Sequence, residues 1–361
     1  MEKELNEPRP QQFRQTHQSQ RRDFIKGQLT AGFAMALGGC SVFSQEQTRQ
    51  VNLPGQTKNT RKKKMRTPKK ITQAKPLTEG AGVHLHRGFG FGETTPYDPF
   101  LLFDDFRNDD PNHYRNGFPW HPHRGIETIT YVLAGEVTHH DSLGNTGKLG
   151  AGDIQWMTAG SGILHQEMPQ GDAQGRMHGF QLWANLPAKH KMTKPRYQDV
   201  QSQDIPTIVD DDGTSVRVLC GDFWGRQGPV QGIAAEPRYL DISLPANTTR
   251  SILIETSRHA FAYIIAGTVR FRDGSDPKAI RVENPNNGEL LQQFAGNRSL
   301  VLFDQGDSIR VESGEQGGRF LLVSGEPIKE PVAWRGPIVM NTHDELRQAF
   351  KELNEGTFIK Q

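Results

Sequence analysis

From about residue 76 onward, apolar residues gather in short runs that end on glycine and restart beyond a turn, the pattern of antiparallel strands. Thr130-Tyr131-Val132-Leu133-Ala134 leads through Gly135 into a new strand at Glu136-Val137. The pattern returns 132 residues later as Ala262-Tyr263-Ile264-Ile265-Ala266, then Gly267 and Thr268-Val269. Two more echoes keep the same order. Gly152-Asp153-Ile154 matches Gly306-Asp307-Ser308, and Phe180-Gln181-Leu182-Trp183 matches Phe320-Leu321-Leu322-Val323. Offsets of 132, 154 and 140 residues predict duplicated β-barrels with loops of unequal length. Jelly-roll barrels fit, because they bury a site between two sheets. Helical spacing is rare. It shows over 341–350, where Leu346, Ala349 and Phe350 share a face and Thr342 with Glu345 forms a capping box, so a short packing helix is expected there.

A different pattern opens the chain. Arg21-Arg22-Asp23-Phe24-Ile25-Lys26 resembles a bacterial twin-arginine export signal, and the thirteen weakly apolar residues 27–39 are too few to span a bilayer. Leu37-Gly38-Gly39-Cys40 resembles a lipoprotein cleavage box, with Cys40 as the lipidated residue. The expected location is the periplasm or cell envelope, by twin-arginine export with a lipid anchor at Cys40. If lipid takes Cys40, Cys220 has no partner for an intrachain disulfide. Cys220 follows the apolar run Val216-Arg217-Val218-Leu219 and reads as a small buried hydrophobe.

Charge divides the same way. Residues 1–70 hold fifteen Lys/Arg against five Asp/Glu, a net +10, while the rest holds 28 against 36, a net −8. The acidic globular part argues against a nucleic-acid partner. The run Arg61-Lys62-Lys63-Lys64 reads as a solvated linker with some attraction to anionic lipid. The 38 glycines and 22 prolines suit a turn-rich β protein. The expected organisation is a leader over 1–40, a disordered basic tether over 41–75, a metal-binding barrel over 76–200, a metal-free barrel over 201–345 and a tail over 346–361.

Candidate chemistry concentrates in the first barrel. His121-Pro122-His123 and His165-Gln166-Glu167 each have i, i+2 spacing, which puts both side chains on one face of a strand. Two such strands facing each other across a barrel bring three imidazoles and a carboxylate to one point. That donor set suits a borderline divalent metal and not magnesium or calcium, which prefer oxygen shells. At the 132-residue offset His121 and His123 become Leu253 and Glu255, and nothing after Gly306 resembles His165-Gln166-Glu167. The second barrel therefore reads as metal-free. His84-Leu85-His86 has ligand spacing but no evident partner, and His139-His140 reads as surface. His178 is a candidate to face the pocket.

The segments Phe118-Pro119-Trp120-His121-Pro122-His123-Arg124-Gly125-Ile126-Glu127-Thr128, Gly152 through Pro169, and Gln181-Leu182-Trp183 closely resemble the pirin family of the cupin superfamily. The resemblance runs over roughly 72–340. It implies an all-β fold of two tandem cupin barrels, with one Fe(2+) in the N-terminal barrel held by His121, His123, His165 and Glu167. The generic cupin pattern recruits an earlier acid, here Glu127. Thr158-Ala159-Gly160 stands where that pattern has its Pro-x-Gly turn, so Glu167 is preferred and Glu127 is left as a second neighbour to the site or a partner for backbone groups. The resemblance also implies quercetin 2,3-dioxygenase-like cleavage of a phenolic or enediol substrate with O₂, with Glu167 as catalytic base. Trp120, Trp156 and Phe180 are candidate pocket walls. The other function the family offers is a non-enzymatic redox protein that modulates a protein partner.

Overall fold

A computed structural model describes residues 64–360, apart from 273–279, 284–288 and 293. The leader, Cys40 and most of the basic tether lie outside the described residues. The rest is almost entirely β-strand, with one α-helix among the described residues.

The first barrel is built from two sheets. One has seven strands and runs in the order Arg196–Val200, Ile154–Thr158, Ile126–Ala134, His178–Asn185, Phe100–Asp105, Val83–Phe89 and Lys75–Glu79. The other has four, in the order Phe118–His123, Ile163–Gln170, Glu136–Asp141 and Thr146–Leu149. Val83, Leu85 and Val132 of the first sheet pack on Val137 and Leu149 of the second. Strands Ile154–Thr158 and Phe100–Asp105 are buried at every position, and Ile126–Ala134 nearly so. They are buried because that sheet has two cores to serve. Ile129, Tyr131, Trp156, Phe180 and Leu182 meet Tyr239, Phe261, Tyr263 and Val323 of the second barrel, while alternate residues face the first barrel's interior.

The second barrel is a ten-stranded sheet. Its long strands His259–Arg272 and Ser308–Gly325 pair along most of their length, with register shifts at Ile264/Ala266 and Gly267/Val269 that bend them. The repeat is visible at the junction. Tyr131 donates to Asp241 across it at 2.7 Å, and Tyr263 donates back to Asp105 at 2.8 Å. Each aspartate is also gripped by an arginine, Arg319 on Asp241 and Arg107 on Asp105. A buried carboxylate needs such pairing, because stripping it of water without compensation costs several kcal/mol.

The chain ends cross over. Pro68–Gln73 is a strand, hydrogen-bonded to Ser299–Phe303 of the second barrel, so the end of the expected tether is instead structural. Pairing overrides its basic composition: Ile71 is buried, while Lys69 stays at the surface. At the other end, the hairpin Ala333–Arg335 with Ile338–Met340 and helix α1, His343–Asn354, return to the first barrel. The expected tail, as far as residue 360, packs on the first barrel: Phe358 is buried with Leu346 and Ala349 against Leu164. The Thr342–Glu345 capping box is present. The helix continues past Phe350 and stops just before Gly356, whose positive φ of 72° favours glycine.

Candidate metal centre

The strand Phe118–His123 is an edge strand, which is why it tolerates Pro119 and Pro122. Its one partner is Ile163–Gln170, with His121 opposite His165 and His123 opposite Ile163. The two ligand strands are thus hydrogen-bonded neighbours in one sheet, not strands facing each other across the barrel as the spacing suggested. Directly opposed residues project to one face, so register brings His121 beside His165 and alternation adds His123. The donor nitrogens of the three imidazoles lie within 4.8 Å of one another.

Hydrogen bonding fixes the tautomers of two of them. His121 Nδ1 lies 2.9 Å from the Pro119 carbonyl, and His123 Nδ1 lies 3.2 Å from the Pro337 carbonyl. A carbonyl only accepts, so each Nδ1 carries the proton and each Nε2 presents a lone pair. Those two Nε2 atoms face each other at 3.0 Å. Two lone pairs at that distance repel unless a cation sits against them. Both ring nitrogens of His165, which is fully buried, have no hydrogen-bond partner. Burial, followed by the neighbouring imidazoles, holds His123 and His165 well below the usual imidazole value, so both are neutral near pH 7. Three imidazoles with converging, uncommitted nitrogens fit a divalent metal.

Glu167 shares the cavity but stands outside the close group of imidazoles. Thr130 Oγ1 lies 3.3 Å from its Oε1, and Gln181 Nε2 lies 3.3 Å from both of its oxygens. The indole N–H of Trp183 donates to Gln181 Oε1 at 3.2 Å, which orients the amide toward Glu167. Trp183 also sets its ring against His123, 5.1 Å between centroids and nearly perpendicular. Above the histidines opens a cavity of about 410 Å³. Phe91, Phe106, Phe118 and Trp334 supply apolar walls, and Arg87, held by Asp104 and Glu79, lies at one side.

Several expected residues lie elsewhere, and strand parity explains most of them. Glu127 shares a strand face with Ile129 and Tyr131, which point toward the second barrel. It accepts a hydrogen bond from its cross-strand neighbour Thr158 at 2.7 Å, and burial raises its pKa. Trp156 and Phe180 sit in the core between the barrels and do not line the cavity. Trp120 lies out of phase with His121 and is 53% exposed. His178 Nε2 is hydrogen-bonded to Asp109 Oδ1 at 2.6 Å, away from the cavity. His139 is not a surface residue. Opposite Glu167 in register, it is buried and stacked on Tyr197 with centroids 5.4 Å apart. His84 stacks on His113, and His86 meets Arg298, so neither joins the metal centre. Gln181, Trp183 and Thr130 were missed as site residues, although a glutamine in an otherwise apolar strand signals an interior polar task. Pro337 and Trp334 carry no local signal.

The pirin family model matches residues 82–184, and the model of the pirin C-terminal cupin domain matches 239–359. The chain is 42% identical to a pirin-like protein of Caulobacter vibrioides over 290 residues, 80% of this chain and 98% of that protein. A crystal structure of quercetin 2,3-dioxygenase from Acinetobacter baumannii superposes with a TM-score of 0.71 at 28% identity, covering 81% of this chain and 98% of that one. A bacterial pirin from Escherichia coli, solved in complex with nickel(II), shares the fold with a TM-score of 0.52 at 21% identity, over 73% of this chain and 100% of that one.

Proposed function

This chain belongs to the pirin family, and from that premise we propose that it is an iron-dependent dioxygenase cleaving a flavonol- or enediol-type small molecule with O₂. The observation that carries the reading is the pair of Nε2 lone pairs 3.0 Å apart at the floor of an aromatic-walled cavity. A cavity of about 410 Å³ has room for a planar polycyclic phenol.

His121, His123 and His165 would hold the metal, with Glu167 as the fourth ligand. Bound there, Fe(2+) supplies Lewis acidity and redox chemistry toward O₂. The chain's own residues do the rest. Phe91, Phe106, Trp183 and Trp334 take the flat faces of the substrate and exclude water. Arg87, whose charge is partly balanced by Asp104 and Glu79, faces an oxygen-bearing edge. Glu167 accepts the proton of the substrate's reacting hydroxyl, and Gln181 and Thr130 hold its carboxylate in place for that transfer. The flavonol assignment draws on the name carried by the Acinetobacter relative.

The test is turnover. Iron-loaded protein under O₂ is expected to consume quercetin and release CO, and His165→Ala to abolish both. Unchanged turnover in that variant would sink the proposal. The proposal extends to location: residues 1–40 direct export and Cys40 anchors the protein. Fractionation of cells expressing Cys40→Ala should move the protein from the membrane to the soluble periplasmic fraction.

A further inference from the structure

We infer that the C-terminal segment 333–360 is a working part of the metal centre: a strap that fixes His123 and forms one wall of the cavity. The inference rests on the metal-binding reading above. His121 receives its orienting carbonyl locally, from Pro119 two residues away. His123 has no local equivalent. Its Nδ1 donates to Pro337, 214 residues further along the chain. Without that acceptor nothing else among the described residues commits the His123 proton to Nδ1, or its Nε2 lone pair to the cavity. Partners of this kind orient a ligand and tune its basicity.

The strap is seated against the residues that follow the ligand. Ile338 bridges Arg124, and the Val339 N–H donates to the Arg124 carbonyl at 3.0 Å. The Val339 carbonyl passes so close to Gly125 that a Cβ there would collide with it. Lys191 Nζ donates to Gly125 O at 2.9 Å, Asn185 Oδ1 at 2.7 Å and Val339 O at 3.1 Å, tying loop and strap together. The far end is anchored by Arg124 itself. Its guanidinium donates to Glu352 at 2.8 Å and to the Phe358 carbonyl at 2.7 Å, and lies 4.1 Å from the Phe358 ring centroid. The residue next to the ligand thus holds the end of the strap that orients the ligand. The same strap brings Trp334 to the cavity, 6.0 Å from Trp183 and 5.4 Å from Phe91 by ring centroids.

The experiment uses the full chain, with nickel(II) affinity read by chelator competition and hydrogen exchange at the Val339 amide reporting whether the strap is seated. Glu352→Ala with Phe358→Ala removes the two side-chain contacts of the anchor, the Glu352 carboxylate and the Phe358 ring, and leaves only the Phe358 backbone carbonyl, without touching a ligand or a cavity residue. The expected result is faster Val339 exchange together with nickel(II) affinity lowered about 10- to 100-fold. If the double variant does not fold, Glu352→Ala alone is expected to shift both readouts in the same direction. Glu352→Gln, which keeps an acceptor for Arg124, is expected to stay near the parent. Phe271→Ala, in the core of the second barrel, is expected to lower stability and leave affinity at the parental value. Parental affinity in a variant whose Val339 amide exchanges freely overturns the inference, as does an equal affinity loss in Phe271→Ala. A parent chain that fails to bind nickel(II) overturns the metal reading itself, a result distinct from either.

Discussion

The two barrels began as the same pattern and now do opposite things with their interiors. The first keeps an open cavity floored by polar side chains. The second is filled: Ile252, Ile254, Val269, Ile309, Val311 and Phe320 are all buried in one apolar cluster. The 132-residue offset holds for Tyr131 and Tyr263 but slips by one residue at the ligand strand. On Thr249–Leu253 and the residue after it, Ile252 and Ile254 face inward, while Leu253 is 56% exposed and Glu255 pairs with Arg238 and Arg258. Two isoleucines, and not Leu253 and Glu255, therefore occupy the inward positions of that strand. A one-residue slip exchanges the two faces of a strand, so apolar side chains pack where the first barrel presents imidazoles. Each barrel also takes in a segment from the far end of the chain. The second receives Arg66, buried and donating to the carbonyls of Glu255, Arg258, Asp304 and Gly306. The first receives the strap that carries Pro337. One import seals a barrel and the other borders the candidate metal centre, so the same architecture is filled with apolar side chains in one copy and open to a polar-floored cavity in the other.

The most severe way to break this contrast is to hollow the filled barrel. Phe320→Ala is expected to cost about 3–5 kcal/mol in denaturant unfolding, with the folded fraction retaining metal affinity. Loss of metal affinity in the folded state would show that the second barrel shapes the first barrel's site. Metal tests the converse. Nickel(II) at a hundredfold excess over its dissociation constant is expected to stabilise the parent by about 2.7 kcal/mol and to leave His165→Ala unmoved. Because the barrels share one core and exchange their ends, calorimetry should show a single transition shifting as a whole; two transitions would mean that the barrels melt independently.

Tyr131→Phe and Tyr263→Phe probe the symmetry of the junction. Each removes a hydrogen bond to a buried aspartate, an expected loss of about 2 kcal/mol, with Tyr131→Phe the larger because its hydroxyl also accepts from Arg217 Nη1 at 2.8 Å. The smallest effect lies at the strap. Burial raises the pKa of Glu352, but hydrogen bonds from Lys360, Gln348 and Arg124, with the Arg124 charge, outweigh it and bring the group to about 2. Its folded-state pKa is thus depressed from the ordinary 4.5. Stability from the strap anchor is fully present above pH 4.5 and is lost as pH falls toward 2. Glu352→Gln should flatten that part of the acid unfolding curve.

Much of the first barrel was legible in the sequence because its signals are local. Two residues of separation place His121 with His123 and His165 with Glu167 on a strand face whatever the rest of the chain does. The capping box of α1 and the glycine-closed strand runs are equally local. The aromatic walls were not legible. Trp156 and Phe180 are as apolar as Trp183, and their strands are buried on both faces, so composition does not say which face meets the other barrel. Parity relative to Gln181, once that residue is known to face Glu167, settles it.

The sequence by itself determined that three imidazoles and a carboxylate sit on strand faces of one barrel copy and that the other copy lacks them. Only the tertiary structure decided that the ligand strands are neighbours in one sheet, that Ile252 and Ile254 fill the corresponding face of the second barrel, and that His123 is oriented by a carbonyl 214 residues away. The physical reason is the range of each interaction. Side-chain direction repeats every two residues and can be counted along the chain, whereas strand partners, shared cores and exchanged ends depend on contacts between segments that no local pattern encodes.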